Sequence, residues 1–448
     1  MTILAIDIGT TGLKMGVFQS NHGDVKKIAD YSEAYTLNRY QNALFGDIDA
    51  EKWINAFRNG CKVLQKEVTL VEILSLSGTT PGLTAMDKDG NALFPAILML
   101  DQRSRKQAQF IIDTVGLEEL FAHTGNMPVA GGCSLASILW IKENRPDVYR
   151  KTYKFGHSNT YFAHWLTGNY AMDPSSASLT ALYNTVKNDF TWNEHIAYAC
   201  GVSTGLMPDL IPASDAVGIV KPELCRDLGF RKQPHVLIGG NDAVLAAYSA
   251  GIQEPGDKNN VNGTCEINLV CLPDCVYSRH YNVRAHVIPD RWLTLHVMNA
   301  GGKAYEWFKS LFCSEMTDEE FYTQFIPSAI NEWIDKESSV TYTPYLMGSR
   351  YSLAPLKAKL EGLTVGSTRA QLLAALTKGL CQYQKSHLDE LSSFTHLDRT
   401  MFITGGAVND AIIRAKKKWM WDGDYQFVQQ SSMRGAALLA LEFEKFMT

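Results

Sequence analysis

Asp242 follows Gly239-Gly240-Asn241 and precedes the Ala-rich run Ala243 to Ala250, so a carboxylate stands where a strand turns into a helix. From that place it could face a bound ligand and take the proton of a hydroxyl attacking a phosphoryl group. It could equally N-cap the helix starting at Ala243, since Asp is among the favoured caps. A second carboxylate opens the stretch Asp7-Ile8-Gly9-Thr10-Thr11-Gly12. Amides and Thr hydroxyls of such a turn can converge on an anion, and an Asp beside phosphate requires a cation between them. The stretch reads as a phosphate-and-Mg²⁺ hairpin or, with equal weight, as a plain hairpin with turn-formers at its tip.

Three further stretches carry potential chemistry. Val261-Asn262-Gly263-Thr264-Cys265 repeats the Gly-Thr bend in the other half of the chain. Gly405-Gly406 lies between an apolar run and a helix, where amides could bind phosphate or the bare backbone could lie against adenosine. A simple tight turn explains those two glycines as well. Asp101-Gln102-Arg103 directly follows Ile97-Leu98-Met99-Leu100. Charges at the end of a buried run face a cleft, form a surface ion pair or start a helix. Lys416-Lys417-Lys418 beside Trp419 and Trp421 reads as a solvated helix face.

The elements that must position these residues follow from periodicity. Ile3 to Ile6, then Leu13, Met15 and Val17 alternating with Lys14 and Gly16, form two strands around the first turn. Ala50 to Lys66 is an amphipathic helix, and Ile73 to Ser77 a buried strand ending in Gly78-Thr79-Thr80-Pro81-Gly82. A hairpin turns at Asp87-Lys88-Asp89-Gly90. Residues 104–232 are mainly helical, broken by the turn Asp173-Pro174-Ser175-Ser176-Ala177-Ser178. Arg231-Lys232-Gln233-Pro234 looks like a linker. After it come strand His235 to Ile238, the second Gly-Thr hairpin, helices at Lys303 to Phe312 and Arg369 to Leu391, a strand at Met401 to Thr404 running into Gly405-Gly406-Ala407, and a last helix from Met433 to Phe446. Two Gly-Thr hairpins, one opening each half, suggest two related α/β lobes, residues 1–234 and 235–448, that hold one polyphosphate from both sides.

Bulk properties narrow the class. Hydrophobic residues at 46% and charged residues at 20% describe an ordinary globular chain. A net charge of −5 and a pI near 6.1 give no electrostatic case for nucleic acid or an anionic membrane. No apolar run approaches the ~20 residues of a membrane span, and no secretory pattern opens the chain, so the expected place is the cytoplasm. The nine Cys are scattered, and Cys271 and Cys275 have no matching pair for a zinc site, so free thiols are expected. Neither a Walker-type loop nor Gly-x-Gly-x-x-Gly occurs, which removes the usual support for P-loop, protein-kinase or dinucleotide readings.

With those residues placed, the chain resembles the FGGY carbohydrate kinases, of the sugar-kinase, actin and heat-shock-chaperone fold, nearly from end to end. Asp7-Ile8-Gly9-Thr10-Thr11 with Lys14 is similar to the family's first phosphate motif, and Asp101-Gln102-Arg103 to its substrate-side Asp-x-Arg element. Trp140 to Asn144, Asp173 with Ser175 to Ala177, Gly240-Asn241-Asp242, Gly263-Thr264, and Pro344 to Arg350 follow in the family's order. Gly405-Gly406 and Gly435-Ala436-Ala437 resemble its adenosine-side elements. The resemblance implies two ribonuclease-H-like, actin-like ATPase lobes with a central cleft. It implies Asp242 as general base and Asp7 as the residue positioning Mg²⁺ through water. Thr10, Thr11, Lys14, Gly263 and Thr264 would hold the phosphates of ATP, and Gly405, Gly406 and Asn409 its adenosine. Thr80, Pro81, Asp101, Arg103 and Asp242 would meet the sugar. The partners implied are a small sugar and, as an option, a second copy in a homodimer, with no nucleic acid and no membrane.

The departures fall on the sugar side. Xylulokinase-like members carry Gly-Gln-Met-His-Gly where this chain has Gly78-Thr79-Thr80-Pro81-Gly82, and Pro81 cannot offer an imidazole hydrogen bond. Met99-Leu100 stands for Trp-Asn, Ala243 for the Asn or Gln after the base, and Ser137 for a Lys. Lys416 to Trp421 departs from the family's adenine-side helix. The expected activity is ATP-dependent phosphorylation of a ketose such as a pentulose, with gluconate, a deoxy-ketose or glycerol as alternatives. A non-catalytic ATP-binding switch of actin-like fold is the competing class, and the presence of Asp242 argues against it.

Overall fold

Ile3, Leu4, Ala5 and Ile6 leave no polar side of their strand for solvent, and both faces of that strand are covered. In the computed structural model, which describes residues 1–40, 45–352, 356–406 and 408–447, alternate side chains divide between two cores. Leu4, Ile6 and Ile8 pack with Leu13, Met15, Trp53 and Phe57, while Ile3 and Ala5 pack with Leu237, Leu245, Ala436 and Leu439. Near-continuous apolar strands are what burial on both faces demands.

The described residues divide into two compact units. The first comprises Met1–Gly251, Val283–Trp292 and Gln430–Thr448; the second comprises Ile252–Asn282 and Leu293–Gln429. The first is built on strands β1 (Thr2–Ile8), β2 (Gly12–Asn21), β3 (Asp24–Ala34), β4 (Ile73–Gly78), β5 (Ala216–Ile219) and β6 (His235–Asn241), in the order β5-β6-β4-β1-β2-β3. Strands β1, β4 and β6 are parallel, with Asp7 opposite Ser77 and Asn241 opposite Gly78. Their carboxyl ends therefore meet at one edge, where open α/β sheets hold their ligands. Helix α1 (Asp242–Ser249) continues directly from β6. A smaller sheet orders the strands Asn38–Tyr40, Phe45–Ile48, Ala96–Leu98, Gly82–Met86 and Lys154–Gly156, and a helical section packs around Leu83, Ile97, Leu135, Ile138 and Phe155. The expected second strand after Asp87 to Gly90 is reduced to one bridge, Met86 to Ala92.

In the second unit, β7 (Lys258–Asn262) pairs antiparallel with β8 (Glu266–Leu272) around the second Gly-Thr turn. Strand β8 neighbours β9 (Trp292–Met298). On the other side β7 runs parallel to β10 (Thr400–Thr404), itself parallel to β11 (Asp424–Phe427). Each unit thus has an antiparallel Gly-Thr hairpin whose first strand has a parallel neighbour. That shared pairing is the repeat which sequence identity showed only weakly. Helices α2 (Gly302–Phe312), α3 (Arg369–Ser392) and α4 (Asp410–Trp419) supply its core with Phe308, Leu373, Leu376 and Ile412. Ala407, expected at the entry to α4, lies outside the described residues.

Two expectations about domain organisation need correction. The division expected after Pro234 falls instead after Gly251, because β6 is an interior strand pairing with β4 and cannot leave that sheet. The last helix, α5 (Ser432–Met447), also belongs to the first unit. A Cβ on Gly435 would lie 2.0 Å from the Leu245 carbonyl oxygen, so Gly435 is where α5 and α1 approach backbone to backbone. Gly435-Ala436-Ala437, expected beside adenosine, is a helix-packing motif in this chain, with Ala436 and Ala437 fully buried.

Candidate active site

Asp7 lies near the end of β1, Ser77 near the end of β4, and Asp242 directly follows β6, so three parallel strands deliver polar groups to one edge. Asp7 and Asp242 line a cavity of about 350 Å³ together with Lys14, Ala243, Ala246 and Gln430 to Met433. The Ser77 hydroxyl donates to Asp7 Oδ1 at 2.8 Å. Burial pushes the Asp7 carboxyl above the usual carboxylate range, and hydrogen bonds from Ser77 and Ser432 and the charge of Lys14 pull the other way.

The helix cap is not Asp242 but Asn241, which corrects the capping alternative. Asn241 Oδ1 accepts from the amides of Ala243 at 3.1 Å and Val244 at 3.2 Å. Asp242 is the first helical residue, and its Oδ1 accepts from the Ala243 amide at 2.7 Å and from Asn241 Nδ2 at 3.1 Å. Its carboxyl is pushed up to about 6, first by burial and then by the negative charge of Asp7. The Arg284 cation, the Ala243 amide and Asn241 oppose that shift. A carboxylate with such a value can hold a proton it has just removed near neutral pH.

Asn241 is itself tied on several sides. Its amide donates to Ser175 Oγ at 2.9 Å, and its Nδ2 donates to Thr80 Oγ1 at 2.5 Å. Ser175 is oriented by Asp173, which N-caps the short helix Pro174–Ala177. The turn expected at Asp173 to Ala177 therefore supports the segment bearing Asp242. Thr80 and Pro81 are buried, and Thr80 stands one hydrogen bond from that segment. In the first turn, Thr10 Oγ1 pairs with Thr79 Oγ1 at 3.2 Å, while Thr11 is exposed. The Gly9 amide donates to the Gly12 carbonyl at 3.0 Å, closing the turn on itself.

Asp101 and Arg103 do not line the Asp7–Asp242 cavity. Arg103 Nη2 lies 2.7 Å from Asp47 Oδ2 and 2.8 Å from Asp101 Oδ2, and all three side chains are at most 3% exposed. The guanidinium also lies against Phe45 at 4.8 Å and Trp140 at 5.0 Å. The surface ion pair or helix start considered for these residues is instead a buried cluster.

In the second unit, the Gly263 amide donates to Cys265 O at 3.0 Å, repeating the closure of the first turn, and Gly263 and Thr264 are exposed. Amides of Gly301 and Gly302 at the start of α2 donate to the carbonyls of Thr264 and Gly263, both at 2.9 Å. A Cβ on Gly405, whose φ is +110°, would stand 1.9 Å from Asn262 O, so this exposed glycine lets β10 end against the Gly-Thr turn. Gly406 is exposed beside it, and Asn409 N-caps α4 by accepting from the Ile412 amide at 3.0 Å. Lys416 corrects the solvated-face reading. Lys417 and Lys418 are exposed, but Lys416 is 3% exposed and its Nζ lies 2.6 Å from Glu266 Oε1. Glu266 also accepts from Asn260 Nδ2 at 2.9 Å, and Asn262 Nδ2 donates to Asn260 Oδ1 at 2.8 Å.

Residues 2–249 match the N-terminal domain of the FGGY family of carbohydrate kinases. The chain belongs to that family. It is 26% identical over 415 residues to the xylulose kinase of Staphylococcus xylosus, spanning 91% of this chain and 83% of the relative. The fold is similar to that of the xylulose kinase from Rhodospirillum rubrum, with a TM-score of 0.90, 21% identity, and 98% and 89% of the two chains covered. The gluconate kinase from Lactobacillus acidophilus gives a TM-score of 0.88 at 19% identity, covering 99% and 89%. Sequence reasoning named Asn241 only as part of the Gly240-Asn241-Asp242 element and missed Ser77, Ser432, Asp47 and Arg284. Ser77 was open to inference, since it lies near the end of a buried strand of the same kind as the one that carries Asp7. Arg284 was not, because a lone Arg between Val283 and Ala285 carries no signal of its own.

Proposed function

We propose that this FGGY carbohydrate kinase transfers the γ-phosphoryl group of ATP to a hydroxyl of a small ketose, of the pentulose class. The carrying observation is the pairing of Asp242 with Asp7 and Lys14 around one cavity at the carboxyl ends of parallel strands. The residues fit Mg-ATP chemistry. Among the described residues no three His, Cys, Asp or Glu side chains gather as a metal cage. Mg²⁺ that arrives with nucleotide phosphates needs only one or two carboxylates and keeps several waters, a role suited to the buried, serine-bonded Asp7. Bound Mg-ATP supplies the phosphoryl group and neutralises the charge that develops on it.

In this reading, Asp242 accepts the proton of the attacking sugar hydroxyl at a carboxylate oxygen. The Ala243 amide and Asn241 hold that carboxylate in place. Lys14, Thr10 and Thr11 bind phosphate oxygens from the first turn, Gly263 and Thr264 from the second, and Gly405, Gly406 and Asn409 contribute to the adenosine site. Thr80 and Pro81 belong to the sugar side, where Thr80 reports on the base through Asn241. Asp101 and Arg103 shape the sugar side as a rigid ion cluster. The pentulose assignment is supported by the similarity to xylulose kinases over most of the chain. A coupled ADP-release screen over ketoses, aldonates and polyols tests it. A pentulose should stimulate ATP consumption most. Selective stimulation by gluconate or glycerol would overturn the substrate assignment, and no stimulation by any sugar would overturn the kinase reading.

A further inference from the structure

Arg284 lies in the short strand Asn282–Ala285, part of a segment that rejoins the first unit some 40 residues after Asp242. It is only 8% exposed. Its Nη1 donates to Asn241 Oδ1, the same oxygen that caps α1. From the other end of that amide, Nδ2 donates to Asp242 Oδ1 and to Thr80 Oγ1. The side chain of Asn241 is thereby fixed in orientation, because Arg284 can donate only to its oxygen and the Asp242 carboxylate can accept only from its nitrogen.

We infer that Arg284 is a positioning residue for phosphoryl transfer: through Asn241 it orients the Asp242 carboxylate and keeps it ionised. This rests on the reading of Asp242 as the base. Among the described residues, the charged and titratable groups around Asp242 are Asp7 from β1, Lys14 from β2 and Arg284 from the strand Asn282–Ala285. Asp173 lies behind Gly240, and the segment Gln430 to Met433 contributes only uncharged side chains to the cavity. Asp7 raises the proton affinity of Asp242, and the Arg284 cation lowers it. A cation with this placement sets the lower pH limit of turnover without touching the reacting atoms.

The pH dependence of kcat/KM for the best sugar, measured on the full chain, tests the inference with two variants. Arg284→Gln keeps an N–H donor to Asn241 and removes the charge. Arg284→Met removes both. A base active when deprotonated loses activity as pH falls through its pKa, so loss of the cation should move the acid limb upward by about one pH unit. Arg284→Gln should regain wild-type kcat on the alkaline side, whereas Arg284→Met should also show a lowered plateau. Acid limbs that coincide with the wild type in whichever variant folds would overturn the inference, even if kcat drops. A parallel Asp242→Asn measurement separates the two readings. Near-normal turnover in that variant would remove the base assignment itself, whereas its loss together with unmoved Arg284 limbs would remove only the role of Arg284.

Discussion

Two pairs of aspartates in the first unit make an instructive contrast. Asp47 and Asp101 share the Arg103 guanidinium at 2.7 and 2.8 Å and are essentially shut off from solvent. Asp7 and Asp242 line an open cavity and receive hydroxyl, amide and side-chain N–H donors, while both are pushed above the ordinary carboxylate range. The first pair shares one counter-charge in a buried cluster that fixes both carboxylates in place. The second pair keeps bonding capacity and repels itself, a condition relieved by binding a cation or taking a proton. A carboxylate becomes reactive by what its fold leaves unpaired, and residue type alone does not distinguish the two cases.

The sharpest way to break this contrast is Asp242→Asn, which should lower kcat by about 10²–10⁴-fold while MgATP still binds. Turnover within a few-fold of wild type would place Asp242 with the structural pair. Arg103→Met attacks the other side. It leaves two buried carboxylates without their counter-charge and should cost about 3–5 kcal/mol of stability in urea denaturation. A loss below about 1 kcal/mol, the scale of an exposed ion pair, would mean that the cluster is solvated. Asp7→Ala should weaken Mg²⁺-dependent nucleotide binding by roughly 10–100-fold, read as a flattened Mg²⁺ titration of ATP affinity. Affinity unchanged across that titration would remove the metal role.

The smallest effect concerns pH and stability. A folded-state value of about 6 for Asp242, above its ordinary 3.8, means that the folded chain binds the extra proton more tightly than the unfolded one. The wild type therefore loses stability as pH rises from near 4 through 6, and Asp242→Asn, which carries no charge there, does not. At pH 7 the variant should melt above the wild type, with the gap closing as pH falls towards 4. A gap independent of pH would show that Asp242 is not electrostatically strained.

Local chemistry accounts for what was legible. Gly-Thr turns, the strand-to-helix step at Asp242 and the apolar strands depend on neighbouring residues and on burial of both sheet faces, so they could be read along the chain. The two-lobe α/β plan and family membership came from such pieces in order. The cap at Asn241 was harder, since Asn and Asp are equally good caps and only the backbone chose between them.

The linear chain by itself determined that a carboxylate follows β6, that two Gly-Thr bends recur, and that Thr80 and Pro81 follow β4. Only the tertiary structure decided which charges meet. Asp47 reaches Arg103 across 56 positions, Glu266 reaches Lys416 across 150, and Arg434 on the last helix reaches Asp24 across 410. Such pairs leave no periodic trace, because a charge interacts through space and its partner's place in sequence is free. For the same reason Lys416 looked like one of three surface lysines, and Arg284 like an isolated charge in a short strand, until the fold set each beside its partner.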